Sequence, residues 1–259
     1  MKFIDVSRDG PVTTVTLNRP DVMNAINVEM HEELQAAFDG FAADPDQHLC
    51  VVTGAGDRAF CAGSDLKAAA QSGLPPAYPR SGYAGLIERF DCPKPFIAAV
   101  NGVALGGGFE IALACDIIIA SDNASFGLPE PLVGAVALGG GLHRLARQVP
   151  LKQAMGVILA SQRLSAVDGL RMGFVNEVVP AAELQDATRR WVDDIIRASP
   201  VSVRTSKAVV QRGLAEDSVA TAMQQQKHYP EFIAWRASED IREGPRAFAE
   251  KRKPIWTGR

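Results

Sequence analysis

Three consecutive glycines, Gly106 to Gly108, stand where one kind of apolar segment gives way to another. Before them, Phe96-Ile-Ala-Ala-Val100 is a short apolar run of the kind a buried strand uses. After them, Ile111-Ala-Leu-Ala-Cys115 reads as helix. The ten residues between, Asn101-Gly-Val-Ala-Leu-Gly-Gly-Gly-Phe-Glu110, therefore carry the chain from strand to helix. Glycine lets a ligand approach the backbone closely. The first-turn amides of the helix have no partner within it. Such a helix start suits an anionic oxygen, and a carboxylate, Glu110, sits beside it. Tight packing alone would also explain the glycines. The spacing matches neither the G-x-G-x-x-G of dinucleotide sites nor the G-x-x-x-x-G-K-[ST] of phosphate loops.

The same alternation runs through much of the chain. Val12 to Leu17 alternates like a half-buried strand and stops at Asn18-Arg-Pro20. Asn27 can cap a helix whose apolar positions Met30, Leu34, Ala37, Phe38 and Phe41 recur at helical spacing. Leu49 to Thr53 and Ile117 to Ala120 read as further strands. Strands joined through helices must cross over, so parallel pairing and an α/β class follow. Their turn residues gather at one sheet edge, where parallel sheets hold ligands. The Pro/Gly-rich residues 71–85 read as a long loop. A second triplet, Gly139 to Gly141, reads as a close-packed helix start before the amphipathic run Leu142 to Val149. From about residue 181 the pattern is helical to the end, broken at Ala198-Ser-Pro200. The expected organisation is a core of residues 1–196 and a helical C-terminal region of residues 197–259.

A net charge of −3 gives no electrostatic case for nucleic acid. No apolar run approaches the length of a membrane span, and the opening residues do not resemble a signal peptide. Cys50, Cys61, Cys92 and Cys115 lack C-x-x-C spacing and read as buried free thiols in a reducing cytoplasm. His31, His48, His143 and His228 show no ligand spacing, so no metal is expected. There is no G-x-S-x-G nucleophile elbow.

Three segments carry a resemblance: Ala59-Phe-Cys-Ala-Gly-Ser-Asp-Leu66, the glycine run ending in Glu110, and Ser125-Phe-Gly-Leu-Pro-Glu130. In this order they resemble the motifs of the crotonase (enoyl-CoA hydratase/isomerase) family, and the likeness extends over nearly the whole chain. It implies a spiral of ββα repeats with a C-terminal helical region that packs in trimers or dimers of trimers, and acyl-CoA thioesters as substrates. By motif position, the backbone amides of Ser64 and Gly107 would hold the thioester oxygen. Negative charge gathers on that oxygen when water adds to, or a proton leaves, the acyl chain. Glu110 and Glu130 occupy the two positions that hydratases of the family use, Glu110 to activate water and Glu130 to protonate the α-carbon. The loops at Asn24, Ala25 and Ile26 and at Ala62, Asp65, Leu66 and Lys67 would bind CoA, and Lys251 and Lys253 could reach its phosphates. No cofactor beyond the CoA of the substrate is implied.

The expected activity is therefore reversible hydration of a 2-enoyl-CoA. The alternatives are an isomerase, a dehydratase of the carnitinyl-CoA branch, or a silent CoA-binding scaffold. Asp65-Leu-Lys-Ala-Ala-Ala70, Asp122-Asn-Ala-Ser-Phe126 and Gly244 to Arg252 resemble that branch most. Two features depart from it: Ser64 stands where the branch has a tryptophan, and Val133 to Gly141 lacks its proline and acidic residue. A quaternary ammonium favours aromatic or anionic surroundings, so both departures weigh against that substrate.

Overall fold

The structure, a computed structural model, describes residues 1–67 and 78–259. The chain divides into two compact units, one of Met1–Arg89 with Phe96–Arg190, the other of Phe90–Pro95 with Trp191–Arg259.

The first unit holds two sheets. Strands β1 (Ile4–Asp9), β2 (Val12–Leu17), β3 (Leu49–Gly54), β5 (Phe96–Val100), β7 (Ile117–Ser121) and β10 (Glu177–Val179) lie side by side in that order. Strands β4 (Ala59–Cys61), β6 (Val103–Leu105), β8 (Ser125–Gly127) and β9 (Leu164–Ser165) form a smaller sheet. Successive pairs β3/β4, β5/β6 and β7/β8 each give their first strand to the large sheet and their second to the small one. After β6 the helix Gly107–Ala114 returns the chain to the large sheet, which is the ββα spiral in outline.

Most ladders are parallel, as the helix-containing crossovers demand, including β2 with β3, β3 with β5, and β5 with β7. The exceptions are β1 with β2 and β8 with β9, which are antiparallel. Strand β1 is the sheet edge, and its five exposed residues include Asp5, Arg8 and Asp9. Charges there discourage edge-to-edge pairing with another chain. Asn27 caps the helix Val28–Ala43 by accepting the Met30 amide at 3.0 Å. The five apolar positions of that helix are all buried.

Strand β5 does not run straight into the glycine helix, as the apolar pattern suggests. It turns at Asn101-Gly102 into β6 in the other sheet, and only then does Gly106 (φ 54°) admit the helix. Three residues are too few to show a period, so β6 left no pattern to read. Residues 71–77 of the expected long loop lie outside the described residues. Its described remainder ends in a tight turn with Gly82, Ala84 and Gly85 all at positive φ. All four cysteines are buried and none is in a disulfide.

The second unit contains the helices Pro200–Gly213, Val219–Gln225, Pro230–Ala237 and Asp240–Ala249. Helix does not continue to the end. Beyond Ala249 the chain is largely irregular and is tied back within the unit: Asp240 accepts the amide of Thr257, and Trp256 donates to the Arg197 carbonyl. Among the described residues of the chain, no helix is long and apolar enough to cross a membrane.

Candidate active site

The helix Gly107–Ala114 starts at a place built to leave an amide unspent. The Gly106 amide bonds back to the Gly127 carbonyl at 2.9 Å, so Gly107 is the first residue whose N–H points out of the helix without an acceptor. The Ser64 amide is left over in a similar way. Ile26 donates to the Gly63 carbonyl and Asp65 donates to the Ile26 carbonyl, so this parallel bridge skips the N–H between them. Among the described residues, neither the Ser64 nor the Gly107 amide has a protein acceptor. The two are neighbours. Gly63, at φ 93°, passes so close to the helix start that a Cβ on it would stand 3.2 Å from the Gly107 nitrogen.

Glu110 occupies the first turn of the same helix and is almost wholly buried. Its Oε1 accepts the Gly141 amide at 2.9 Å. Burial raises its carboxyl from the ordinary range to about 7, with the charge of Glu130 adding to the shift. The Gly141 and Gly139 amides and the cation of Arg144 work in the opposite sense. The second glycine triplet is thus more than a packed helix start: Gly139 and Gly141 leave room for this carboxylate, and a Cβ on Gly139 would overlap it. Glu130 opens a short 3₁₀ turn, Glu130–Val133. Its carboxyl is also raised by burial, and its Oε2 is buried with no hydrogen-bond partner among the described residues. A buried carboxylate oxygen without a donor is costly unless a ligand completes it.

Ser64, Gly107, Glu110 and Glu130 all line one cavity of about 520 Å³, within the usual range for small-molecule sites. Much of its remaining wall is apolar, supplied by Leu66, Leu132, Val133, Val136 and Leu138. Ala62 lines it as well. Asn24, Ala25, Ile26, Asp65 and Lys67 are not in its wall. They form the neighbouring loops, which are laced together by the Ala62 amide on Met23 and by Arg19, which bonds both the Ala25 carbonyl and Asp65. The Asn24 side chain is turned inward, away from any ligand, and is used up by three backbone groups. Lys251 and Lys253 are exposed in the second unit, while Arg252 between them pairs with Glu243 and Glu250. Among the described residues, no cluster of three or more His, Cys, Asp or Glu side chains could hold a metal ion.

Tyr78 and Tyr83, from the loop 71–85 that was expected beside the acyl pocket, line the cavity, although neither side chain was singled out in the sequence. Tyr83 is 3% exposed, and its hydroxyl stands 3.3 Å from the Ser64 Oγ. Its ring packs edge-on against His31, with centroids 4.7 Å apart. No local pattern marks it, because Ser64, Gly107 and His31, its neighbours in space, come from three other segments.

Comparison with known proteins identifies the family and the fold. The family model described as enoyl-CoA hydratase/isomerase matches residues 7–259. A carnitinyl-CoA dehydratase from Proteus mirabilis is 44% identical over 256 residues, covering 96% of each chain. One from Salmonella enteritidis is 41% identical over 99% of this chain and 98% of its own. Among solved structures, an enoyl-CoA hydratase from Mycobacterium tuberculosis superposes with a TM-score of 0.91 at 34% identity, covering 99% of both chains. Another from Mycobacterium marinum gives 0.91 at 36%, with the same coverage.

Proposed function

The chain belongs to the enoyl-CoA hydratase/isomerase (crotonase) family and has its fold, and on that premise we propose that it is a hydro-lyase acting on an acyl-CoA thioester. The observation that carries the reading is the pairing of two charge-disfavoured carboxyls, the buried Glu110 and the half-buried Glu130, with two unspent amides in one cavity. In hydration, Glu110 takes a proton from water as its oxygen bonds to C3 of the enoyl group. The electron pair of the double bond moves onto the thioester oxygen, which the Ser64 and Gly107 amides stabilise. Glu130 then delivers a proton to C2, and in dehydration the two roles reverse. Such donors act where charge develops, so each contributes about 3 kcal/mol to lowering the barrier.

The acyl group is a separate question. A plain enoyl chain suits the apolar walls. The names of the relatives at 41–44% identity favour a carnitine-derived thioester more strongly. One feature of the cavity supports them: Tyr78 and Tyr83 supply aromatic faces, which a quaternary ammonium favours. The absence of a tryptophan at Ser64 is therefore weaker evidence against that substrate than the sequence alone suggests. We take carnitinyl-CoA dehydration as the first reading of specificity and simple enoyl-CoA hydration as the second. Purified protein is incubated with crotonobetainyl-CoA, crotonyl-CoA and longer enoyl-CoAs, following loss of the conjugated absorbance and analysing products. Water addition to none of them overturns the hydro-lyase reading, and double-bond migration without added oxygen makes the protein an isomerase. Thioester binding with no turnover, unchanged by Glu110→Gln with Glu130→Gln, makes it a scaffold.

The reading extends to assembly. Val210, Leu214, Val219, Met223 and Phe248 expose large apolar side chains within residues 197–259, which supports this region as the contact of a trimer or a dimer of trimers. Light scattering on the purified protein tests it, and a monomer would exclude it.

A further inference from the structure

The cavity contains a hydroxyl that the scheme above does not use. Tyr83 is buried, and its phenol is held well above its ordinary range by burial, so it stays a protonated donor at any working pH. The group is rigidly placed. Gly82, Ala84 and Gly85 hold a left-handed turn around it, the Ala84 amide donates to His31 Nδ1 at 3.0 Å, and the ring packs on His31. Among the described residues its hydroxyl has one hydrogen-bond partner, the Ser64 Oγ, which donates to it at 3.3 Å. That is long for a bond between two hydroxyls, whose usual length is about 2.7–2.8 Å. The donor capacity is thus largely unspent.

Its position is more telling than its state. A Cβ on Gly107 would stand 2.5 Å from the Tyr83 hydroxyl oxygen and inside its ring. Glycine at 107 therefore makes space for this tyrosine as well as opening the helix start. Since a Cβ lies about 2.5 Å from its own amide nitrogen, the hydroxyl is no more than about 5 Å from the Gly107 nitrogen. Two ordinary hydrogen-bond lengths of about 2.9 Å exceed that separation, so one ligand oxygen can reach both donors.

We propose that the Tyr83 hydroxyl is a third hydrogen-bond donor to the thioester oxygen, beside the amides of Ser64 and Gly107. The proposal rests on the hydro-lyase reading only in taking a thioester oxygen as the ligand. A neutral phenol in a dry pocket suits this work, because it donates to developing negative charge without bringing a charge of its own. Ser64 Oγ acts as its positioning partner: it donates to the Tyr83 oxygen, which leaves the phenolic O–H to a ligand.

The test uses the Tyr83→Phe protein, which keeps the ring packed on His31, and two readouts. Cinnamoyl-CoA, a conjugated thioester, is bound to the wild type, and its absorbance moves to longer wavelength as the carbonyl is polarised. Tyr83→Phe is expected to reduce that shift, and fluorotyrosine at position 83, a stronger donor, to enlarge it. In turnover, Tyr83→Phe is expected to lower kcat about 10- to 100-fold on every accepted acyl group, with little change in KM. An unchanged shift overturns the proposal. So does a loss confined to KM, or to acyl chains carrying their own oxygen, either of which would make Tyr83 an acyl-chain contact. If no enoyl-CoA is hydrated yet the shift depends on Tyr83, the hydro-lyase reading fails and the third donor stands.

Discussion

The amide of Gly141 donates to the carboxylate of Glu110, 31 residues earlier in the chain, and so joins two glycine-rich helix starts. The first triplet exposes an amide to the cavity, and the second holds the carboxylate that faces it. Replacing Gly139 by alanine places a methyl on the Glu110 carboxylate, while alanine at Gly141 presses on it at 3.0 Å. Neither glycine has a positive φ, so the effect of each change is steric rather than conformational. Gly139→Ala is expected to lower kcat by about 100-fold and Gly141→Ala by less, because a misplaced base loses most of its effect. Steady-state kinetics with equal melting temperatures checks this. Full activity in Gly139→Ala would remove the second triplet from the site.

The pH profile follows from the same carboxylate. In its proposed role Glu110 must be ionised to accept a proton from water, and burial raises its carboxyl to about 7. The rate of hydration, as kcat/KM, is therefore expected to fall about tenfold per unit below pH 7. Because Glu130 contributes to the shift, the two titrate as a pair. Glu130→Gln removes a neighbouring negative charge and should move the Glu110 titration to lower pH, as followed by carbon NMR of its carboxyl. A shift upward would mean that the two carboxyls do not interact as described.

The elements whose pattern is local were readable in the chain. Phe96 to Val100 and Leu49 to Val52 are apolar throughout because helices or other layers cover both faces of their sheet. Asn27 declared its cap, and Met30, Leu34 and Phe38 declared the buried face of the helix. The small sheet was hidden, since β4, β6 and β8 have three residues each and no period. Glu110 and Glu130 could be named from their motifs. What holds Glu110 could not, because Gly141 reaches it through a fold-level contact that no spacing rule encodes. Tyr83 was hidden for the same reason.

Asn24 gives a test of structure rather than chemistry. It is wholly buried at φ 55°, accepts the Arg19 amide at 2.9 Å and donates to the Ala55 and Ala59 carbonyls. Asn24→Ala removes the side-chain partner of the Arg19 amide and of the Ala55 carbonyl, leaves the Ala59 carbonyl only its longer bond from Asn101, and puts alanine in a left-handed conformation. We expect a loss of about 2–4 kcal/mol in chemical denaturation. A variant as stable as the wild type would show that water replaces these bonds readily.

His31 and Glu110 pull stability in opposite directions across the acidic range. Burial lowers His31 to about 4, and its Nδ1 accepts the Ala84 amide, so the folded ring is neutral. The unfolded chain takes up that proton near pH 6.5, whereas the folded one resists until about 4. Stability is thus full above 6.5 and lost as pH falls toward 4, by up to about 3 kcal/mol. Glu110 behaves conversely. Its folded carboxyl holds a proton up to about 7 and the unfolded one only to 4.5, so its cost grows as pH rises through that window. In the wild type the two contributions offset each other between about pH 4.5 and 6.5. Single variants separate them. Glu110→Gln is expected to make melting temperature fall more steeply on acidification. His31→Asn, whose side-chain oxygen can still accept the Ala84 amide, is expected to flatten or reverse that slope. Melting curves at half-unit steps from pH 4 to 8 decide the matter, and parallel profiles for both variants would mean that neither group titrates as its burial requires.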